Sequence, residues 1–316
     1  LWRKWLEAGL PRGDMSAAPV APEYPGGWVL GEPDLVLTMP DPVTIPAEGD
    51  DIYWYFAIPS GLVNDRMITA IDFRPGNSRV VHHASFRHDD TGTARLLDAT
   101  DPAPGYRRHG GWGFSSGGTL GGWAAGVQPR RLAPGLGRPI TAGSDFVLQV
   151  HYHPTGRVEQ DRSRVGIYFV ADRRGLPGSG SPGITPVVEI FVGKMSLEIP
   201  PGRADLHHSA EYTLPVPVTL HSVLPHMHLL GRRCRSWAVL PDGRRIPLVA
   251  IDDWDFNWQG QYHLRKPLNL PAGTRIVHEA WYDNSAANPF NPHSPPRRVT
   301  WGEGTSAEMG LLLVMI

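Results

Sequence analysis

The chain has 316 residues, with 30 basic and 31 acidic side chains for a net charge of -1, and it carries 36 glycines and 32 prolines. There is no basic excess of the kind a nucleic-acid partner calls for, and no apolar run approaches the roughly 18–20 residues of a membrane helix. Gly and Pro at this density argue against a helical protein, while a 41% hydrophobic content with 11 tryptophans is ample for a core.

Residues 1–14 read as a helix fragment, with Trp2, Trp5 and Leu6 on one face and Gly9 and Pro11 stopping it. An Ala/Pro-rich linker follows over 16–25. From Trp28 onward strand-like runs at 52–58, 67–73, 80–86, 146–152 and 165–170 are bounded by Pro, Gly and Asp. The Gly/Arg/Pro-rich stretch 105–143, with Trp112 and Trp123, reads as a long irregular loop that could line a cleft. A break at 172–186 is the best domain boundary in the chain. Strands resume at 187–192, 210–214, 216–227, 236–240, 246–251, 275–281 and 309–316, with a hairpin signal at Asp242-Gly243. The segment from Trp281 to Pro292, rich in Asn and Pro, reads as turns. The pattern predicts an all-β chain of two antiparallel, jelly-roll-like β-sandwiches side by side. The expected organisation is a fragment and linker over 1–27, a first sandwich over 28–172, a linker over 173–186 and a second sandwich over 187–316.

One cysteine, Cys234, excludes an internal disulfide and a multi-thiolate metal site, and it reads as a small buried hydrophobe. The 14 histidines, by contrast, are clustered: His82-His83, His151-x-His153 and His226-x-His228. Strand side chains two apart share a face, so His226 and His228, or His151 and His153, can clamp one ion without distorting the backbone. His82 and His83 would diverge on a regular strand and can reach one metal only at a strand end or a bulge, or through different ring nitrogens. A lone strand histidine is ordinarily a surface or satisfied core residue, whereas three clusters in one chain favour metal. Imidazole-only sites suit zinc, copper, iron or nickel, and a thioether ligand would tilt the choice to copper. The remaining histidines read as surface or core side chains, with His109 in the Gly-rich loop the best placed of them to face a cleft. A β-sandwich binding module with incidental histidines remains open on these residues.

His82-His83, then Leu148-Gln149-Val150-His151-Tyr152, then His226-x-His228-x-Leu230-Gly231, then Glu308-Met309 resemble, in order and spacing, the copper type II, ascorbate-dependent monooxygenases. That is the group of peptidylglycine α-hydroxylating monooxygenase and dopamine β-monooxygenase. The resemblance runs from about Trp28 to the C-terminus and includes the turn at 199–202. It implies two copper ions, one in each sandwich. His82, His83 and His151 would hold the electron-transfer copper, with Gln149 beside them. His226, His228 and Met309 would hold the oxygen-activating copper and carry the catalysis. Without the resemblance Met309 reads as a core methionine.

The implied reaction hydroxylates an activated C–H bond of a small-molecule or peptide substrate, using O2 and two electrons from ascorbate or a protein donor. Where the peptide-amidating enzyme grips a substrate carboxylate with Arg, Asn and Tyr, this chain has Leu224, Leu311 and Leu313. A more apolar substrate than a peptide C-terminal carboxylate is therefore expected. The animal enzymes are rich in disulfides, so the expectation is a bacterial relative, periplasmic or secreted. Trp5-x-x-Ala8-Gly9-x-Pro11-x-Gly13-Asp14 resembles the last helix of a c-type cytochrome domain, which implies a c-type cytochrome as a possible donor. The alternative is a non-catalytic periplasmic copper-binding or electron-transfer protein. The role of His153 is left open between a support for the first site and a surface residue.

Overall fold

A computed structural model of the chain describes residues 2–18, 20, 27–108, 110–115, 118–170 and 183–316. Up to Pro186 the strands are β1 (Leu35–Thr38), β2 (Val43–Ile45), β3 (Ile52–Pro59), β4 (Arg66–Arg74), β5 (Val81–Asp89), β6 (Tyr106–Arg107), β7 (Thr119–Ala124), β8 (Leu136–Ile140), β9 (Asp145–Tyr152), β10 (Glu159–Asp161), β11 (Arg164–Phe169) and β12 (Thr185–Pro186). Beyond it lie β13 (Glu189–Gly193), β14 (Glu198–Ile199), β15 (Leu206–Thr213), β16 (Val218–Met227), β17 (Gly231–Val239), β18 (Arg245–Ile251), β19 (Tyr262–Leu270), β20 (Arg275–Tyr282), β21 (Val299–Thr300) and β22 (Gly310–Met315). Two short helices accompany them, α1 (Trp2–Glu7) and α2 (Thr93–Thr100). No helix among the described residues is long and apolar enough to cross a membrane.

The protein is all-β, and every ladder is antiparallel except the two-residue pairing of β8 with β12. In the first half the sheet β6-β3-β9-β5-β7 faces the sheet β1-β11-β4-β8-β12 across a core that includes Trp54, Phe56, Phe86, Leu148, Phe73 and Ile167. In the second half β13-β22-β16-β19 and β15-β20-β17-β18 enclose Leu220, Val223, Ile276, Leu312 and Val314. No sheet mixes strands from before and after Pro186.

β9 is buried along its whole length. Phe146, Leu148 and Val150 point into the core, while Val147 and the β3 residues Tyr53 and Tyr55 pack on the opposite face with α2 and Tyr106. Gln149 and His151 lie on that second face by strand alternation. A strand covered on both sides reads as an unbroken apolar run, and the two polar residues within it are the exception that needs a reason.

The stretch 105–143 is more ordered than the sequence suggests, since it contains β7 and β8. Gly122 explains the misreading. A Cβ there would stand 2.9 Å from the Ala84 carbonyl oxygen of β5, so glycine is what lets β7 pair so closely. β19 was also invisible to pattern, because it is an edge strand carrying Arg265, Lys266 and Pro267. The Asp242-Gly243 hairpin is present, with Gly243 at φ +85° between β17 and β18. Cys234 is free and buried. Of the two expected linkers, residues 19 and 21–26 and residues 171–182 lie outside the described residues, as does His109. α1 buries no side chain, and its Trp2 and Trp5 rings meet edge to face at 5.8 Å.

The halves are joined by a buried ion pair. Arg138 on β8 donates to Glu189 on β13 at 2.7 Å, and its other nitrogen donates to the Thr119 carbonyl at 3.3 Å. Removing one partner strands the other charge in a nearly dry site. Glu189→Gln should therefore cost about 3 kcal/mol, read as a lower unfolding midpoint in denaturant.

A second buried polar group makes stability depend on pH. His278 on β20 holds the Ser236 hydroxyl at 2.9 Å through Nδ1, and its Nε2 has no partner. Burial, reinforced by nearby His208, pushes its pKa down to about 4. The folded state thus refuses a proton that the unfolded chain accepts near pH ~6.5. This contribution is complete above that pH and is lost as pH falls toward 4, by up to about 1.4 kcal/mol per pH unit. Thermal midpoints between pH 7 and 4.5 should fall less steeply for His278→Gln than for wild type.

Candidate metal centre

The first histidine cluster is built by the bulge that its sequence requires. Val81 opposes Tyr152 and His83 opposes His151, so His82 is an extra residue in β5 with no partner across the ladder. The bulge turns both adjacent imidazoles to one side. His82 Nδ1 lies 3.1 Å from His83 Nδ1, which lies 3.2 Å from His151 Nδ1. Ligand atoms of all three lie within 4.8 Å of one another. Around a metal with bonds of about 2.0–2.1 Å, tetrahedral donor nitrogens stand about 3.3 Å apart, so the spacing fits an ion at the focus.

Burial keeps the His82 and His83 rings neutral. Burial lowers the pKa of His82 to about 4, with His151 adding to the effect and Asp51 opposing it, and burial pushes His83 well below its ordinary range. Tyr53 stacks on His151 with centroids 4.4 Å apart and planes 11° apart. On the far side of that ring, Nε2 lies 3.1 Å from Asp51 Oδ2. Its N–H is off the line needed for a hydrogen bond, so the contact is electrostatic. It places the proton on Nε2 and leaves Nδ1 as the free donor. Burial alone would raise the Asp51 pKa, but interactions with His151, Thr305 and His153 hold it below the usual carboxylate range.

The second cluster stands where β16 ends. His226 is on the strand and His228 follows Met227 just past it. Their Nε2 atoms face each other at 3.2 Å. Each Nδ1 is committed elsewhere. His228 Nδ1 lies 3.1 Å from the Ala307 carbonyl, which can only accept, and His226 Nδ1 lies against Gln259 Oε1. The orientation of that amide is fixed because its Nε2 donates to the Phe256 carbonyl at 2.9 Å. Both Nδ1 atoms therefore carry hydrogen, and two Nε2 lone pairs point at one another. Such an arrangement repels unless a cation sits at its focus. A proton is a poor substitute, since burial lowers the pKa of His226 to about 4 and that of His228 to about 3.

Glu308 fastens this end of the site. It is fully buried, and it accepts backbone N–H groups from His228, from Leu230 at 2.9 Å and from Met309 at 2.8 Å. Burial pushes its pKa up to about 8 against the pull of those bonds. The carboxylate ties the turn after β16 to Met309, whose carbonyl accepts from the Tyr282 hydroxyl at 3.1 Å. The structure thus brings the backbone of Met309 to His228 and does not place a thioether–imidazole hydrogen bond there. Leu311 lies directly across the ladder from His226, and Leu313 across from Leu224.

Phe256 separates the two clusters. Its ring stacks on His82 at 5.5 Å and meets His228 edge-on at 5.8 Å. Gln149 is buried one step along the same face as His151 and donates to the Tyr55 hydroxyl at 2.6 Å. His153 is exposed and holds Asp51 at 2.7 Å. Trp112 packs edge-on to Tyr55, while Trp123 lines a cavity of about 480 Å³ between the halves that also borders Gln259. Sequence reasoning missed Asp51, Tyr53, Phe256, Gln259 and Thr305. The run Trp254-Asp255-Phe256-Asn257-Trp258-Gln259, dense in aromatic and amide side chains, was the available signal for two of them.

No family model matches the chain. It is similar to DBH-like monooxygenase protein 1 of Mus musculus, 27% identical over 172 residues that make up 50% of this chain and 27% of that protein. The Homo sapiens protein of the same name is 27% identical over 210 residues, 60% of this chain and 31% of its own length. The chain thus spans less than a third of the curated relatives it matches. Among solved structures, PNGF-II aligns with 88% of this chain and 64% of its own at 10% identity and a TM-score of 0.35. Broad bean stain virus aligns with 97% and 95% at 8% identity and the same TM-score. Likenesses at that level say nothing about the site.

Because Gln259 sets the tautomer of His226, Gln259→Leu should weaken metal binding at the second cluster by about 10- to 100-fold and leave the first cluster's affinity unchanged. Chelator competition on His151→Ala and His226→Ala backgrounds reads the two sites separately.

Proposed function

We propose that the chain is a copper-dependent monooxygenase that hydroxylates an activated C–H bond of an organic substrate with O2 and two electrons. The observation that carries this reading is the pair of histidine foci, three Nδ1 atoms at one and two Nε2 lone pairs at the other, each spaced to hold an ion. Similarity to DBH-like monooxygenase protein 1 supports the reaction class. The donor set supports copper over a thiolate zinc site, since the chain has a single cysteine, Cys234, buried in β17.

Copper, when bound, supplies one-electron redox chemistry and the activation of O2. The residues supply the rest. His82, His83 and His151 would hold the copper that supplies one-electron chemistry, with Tyr53 and Asp51 fixing the orientation of His151. His226, His228 and Met309 would hold the copper whose chemistry activates O2. Leu224, Leu311 and Leu313 share the His226 face of the β16–β22 ladder, and apolar side chains at these positions favour a substrate without a carboxylate at the reacting end. Ascorbate or a protein such as a c-type cytochrome is the electron source in this reading.

The deciding measurement is copper stoichiometry after reconstitution of wild type, Met309→Ala and His151→Ala. Two coppers per chain are expected in wild type, with each variant losing or weakening a different one. One copper or none in wild type would end the monooxygenase reading. With two in place, substrate-coupled oxygen uptake separates an enzyme from a copper carrier.

A further inference from the structure

We infer that Asp51 and Thr305 act as positioning residues that couple the two metal centres, so that filling one tightens the other. The inference rests on the reading of both histidine clusters as metal centres.

Asp51 immediately precedes β3 and uses both oxygens. Oδ1 receives His153 Nδ1 at 2.7 Å, while Oδ2 faces His151 Nε2 at 3.1 Å and accepts the Thr305 hydroxyl at 2.7 Å. One oxygen therefore serves a ligand of the first centre and a hydroxyl from the other half of the chain. Thr305 belongs to the turn that serves the second centre. Two residues on, the Ala307 carbonyl fixes the tautomer of His228. Three residues on, Glu308 holds the backbone of His228, Leu230 and Met309. The same turn is clamped at its start, where the Tyr53 hydroxyl donates to the Glu303 carbonyl and the Tyr53 ring stacks on His151. Every link from His151 to His228 is a direct contact or a step along the turn, which residues that touch the first centre hold at Glu303 and Thr305.

The consequence is a linkage. An ion at the first focus pins His151, and hence the Nε2–H that faces Asp51. A pinned Asp51 holds Thr305, and with it the turn that orients His228. Ligand binding that orders a shared element lowers the ordering cost for the second ligand, and the coupling is reciprocal.

The test uses copper(II) as the probe, with chelator competition for affinity and electron paramagnetic resonance to report each centre. Affinity at the second centre is measured in the full chain with the first centre filled, and in His83→Ala, where it cannot fill. A tightening of about fivefold or more on filling is expected in the otherwise wild-type chain. Thr305→Val should abolish the tightening, and Thr305→Ser should restore it. Asp51→Asn should weaken the first centre and abolish the coupling together. Circular dichroism of Thr305→Val guards against misfolding, and Thr305→Ser keeps the test decisive if that variant is unstable. Equal second-centre affinity with the first centre filled or empty, or coupling that survives Thr305→Val, overturns the inference and leaves the two-copper reading standing. Absence of copper from either centre in wild type overturns both.

Discussion

Two neutral imidazoles do not hold their lone pairs 3.2 Å apart in a half-buried site unless something positive belongs between them. That electrostatic requirement organises the molecule around His226 and His228. Their outward nitrogens are engaged by acceptors from two separate loops, Gln259 after β18 and Ala307 before β22. Neither ring can turn to relieve the repulsion without abandoning an acceptor. The first cluster meets the same requirement by another route, with a bulge in β5 aiming His82 and His83 and a carboxylate setting His151. The two foci differ in the nitrogen they use, Nδ1 in one and Nε2 in the other, and at His151, His226 and His228 a neighbouring acceptor faces the opposite atom.

These sites are expensive for a fold to maintain. Glu308 is fully buried without a cationic partner, satisfied by backbone N–H groups alone, and His151 and Gln149 interrupt the apolar face of β9. Buried polar groups of this kind cost stability unless each finds its partners. Nearly all of them do, and the partners cluster where the halves meet. A β-sandwich whose histidines were incidental would have no reason to concentrate its costs there. Violations of local packing preference that converge on one place are the ordinary mark of function.

Much of this was legible in the sequence. Alternation located the long strands β3, β4, β5, β9, β16 and β20, because each has one face or both in a core. The Asp242-Gly243 turn announced its hairpin. The histidine pairs were readable because strand geometry makes a two-residue spacing meaningful, and adjacency at His82-His83 even demanded the bulge that is found. Two of the strands that escaped, β7 and β19, lack a continuous apolar or alternating run. β7 reads as loop because glycine spacing there serves close approach to β5, and β19 reads as polar because it is an exposed edge. The supporting residues escaped for a different reason. Asp51 and Gln259 lie 100 and 33 positions from the histidines they serve, Thr305 lies 254 from Asp51, and nothing local marks a carboxylate or amide as the partner of a distant ring.

Phe256 shows how closely the two centres are held. Its ring stacks on His82 and meets His228 edge-on, so a histidine of the first cluster and a histidine of the second share one apolar neighbour. The loop that carries it also carries Gln259, whose amide is oriented by the Phe256 carbonyl and in turn orients His226. The ring and the amide are thus positioned together. Any displacement of Phe256 from between the histidines moves the acceptor that sets the His226 tautomer. Separation of the halves and the donor state of the second centre are for this reason not independent: the contact that closes the gap between the clusters belongs to the same short loop that prepares His226 to bind.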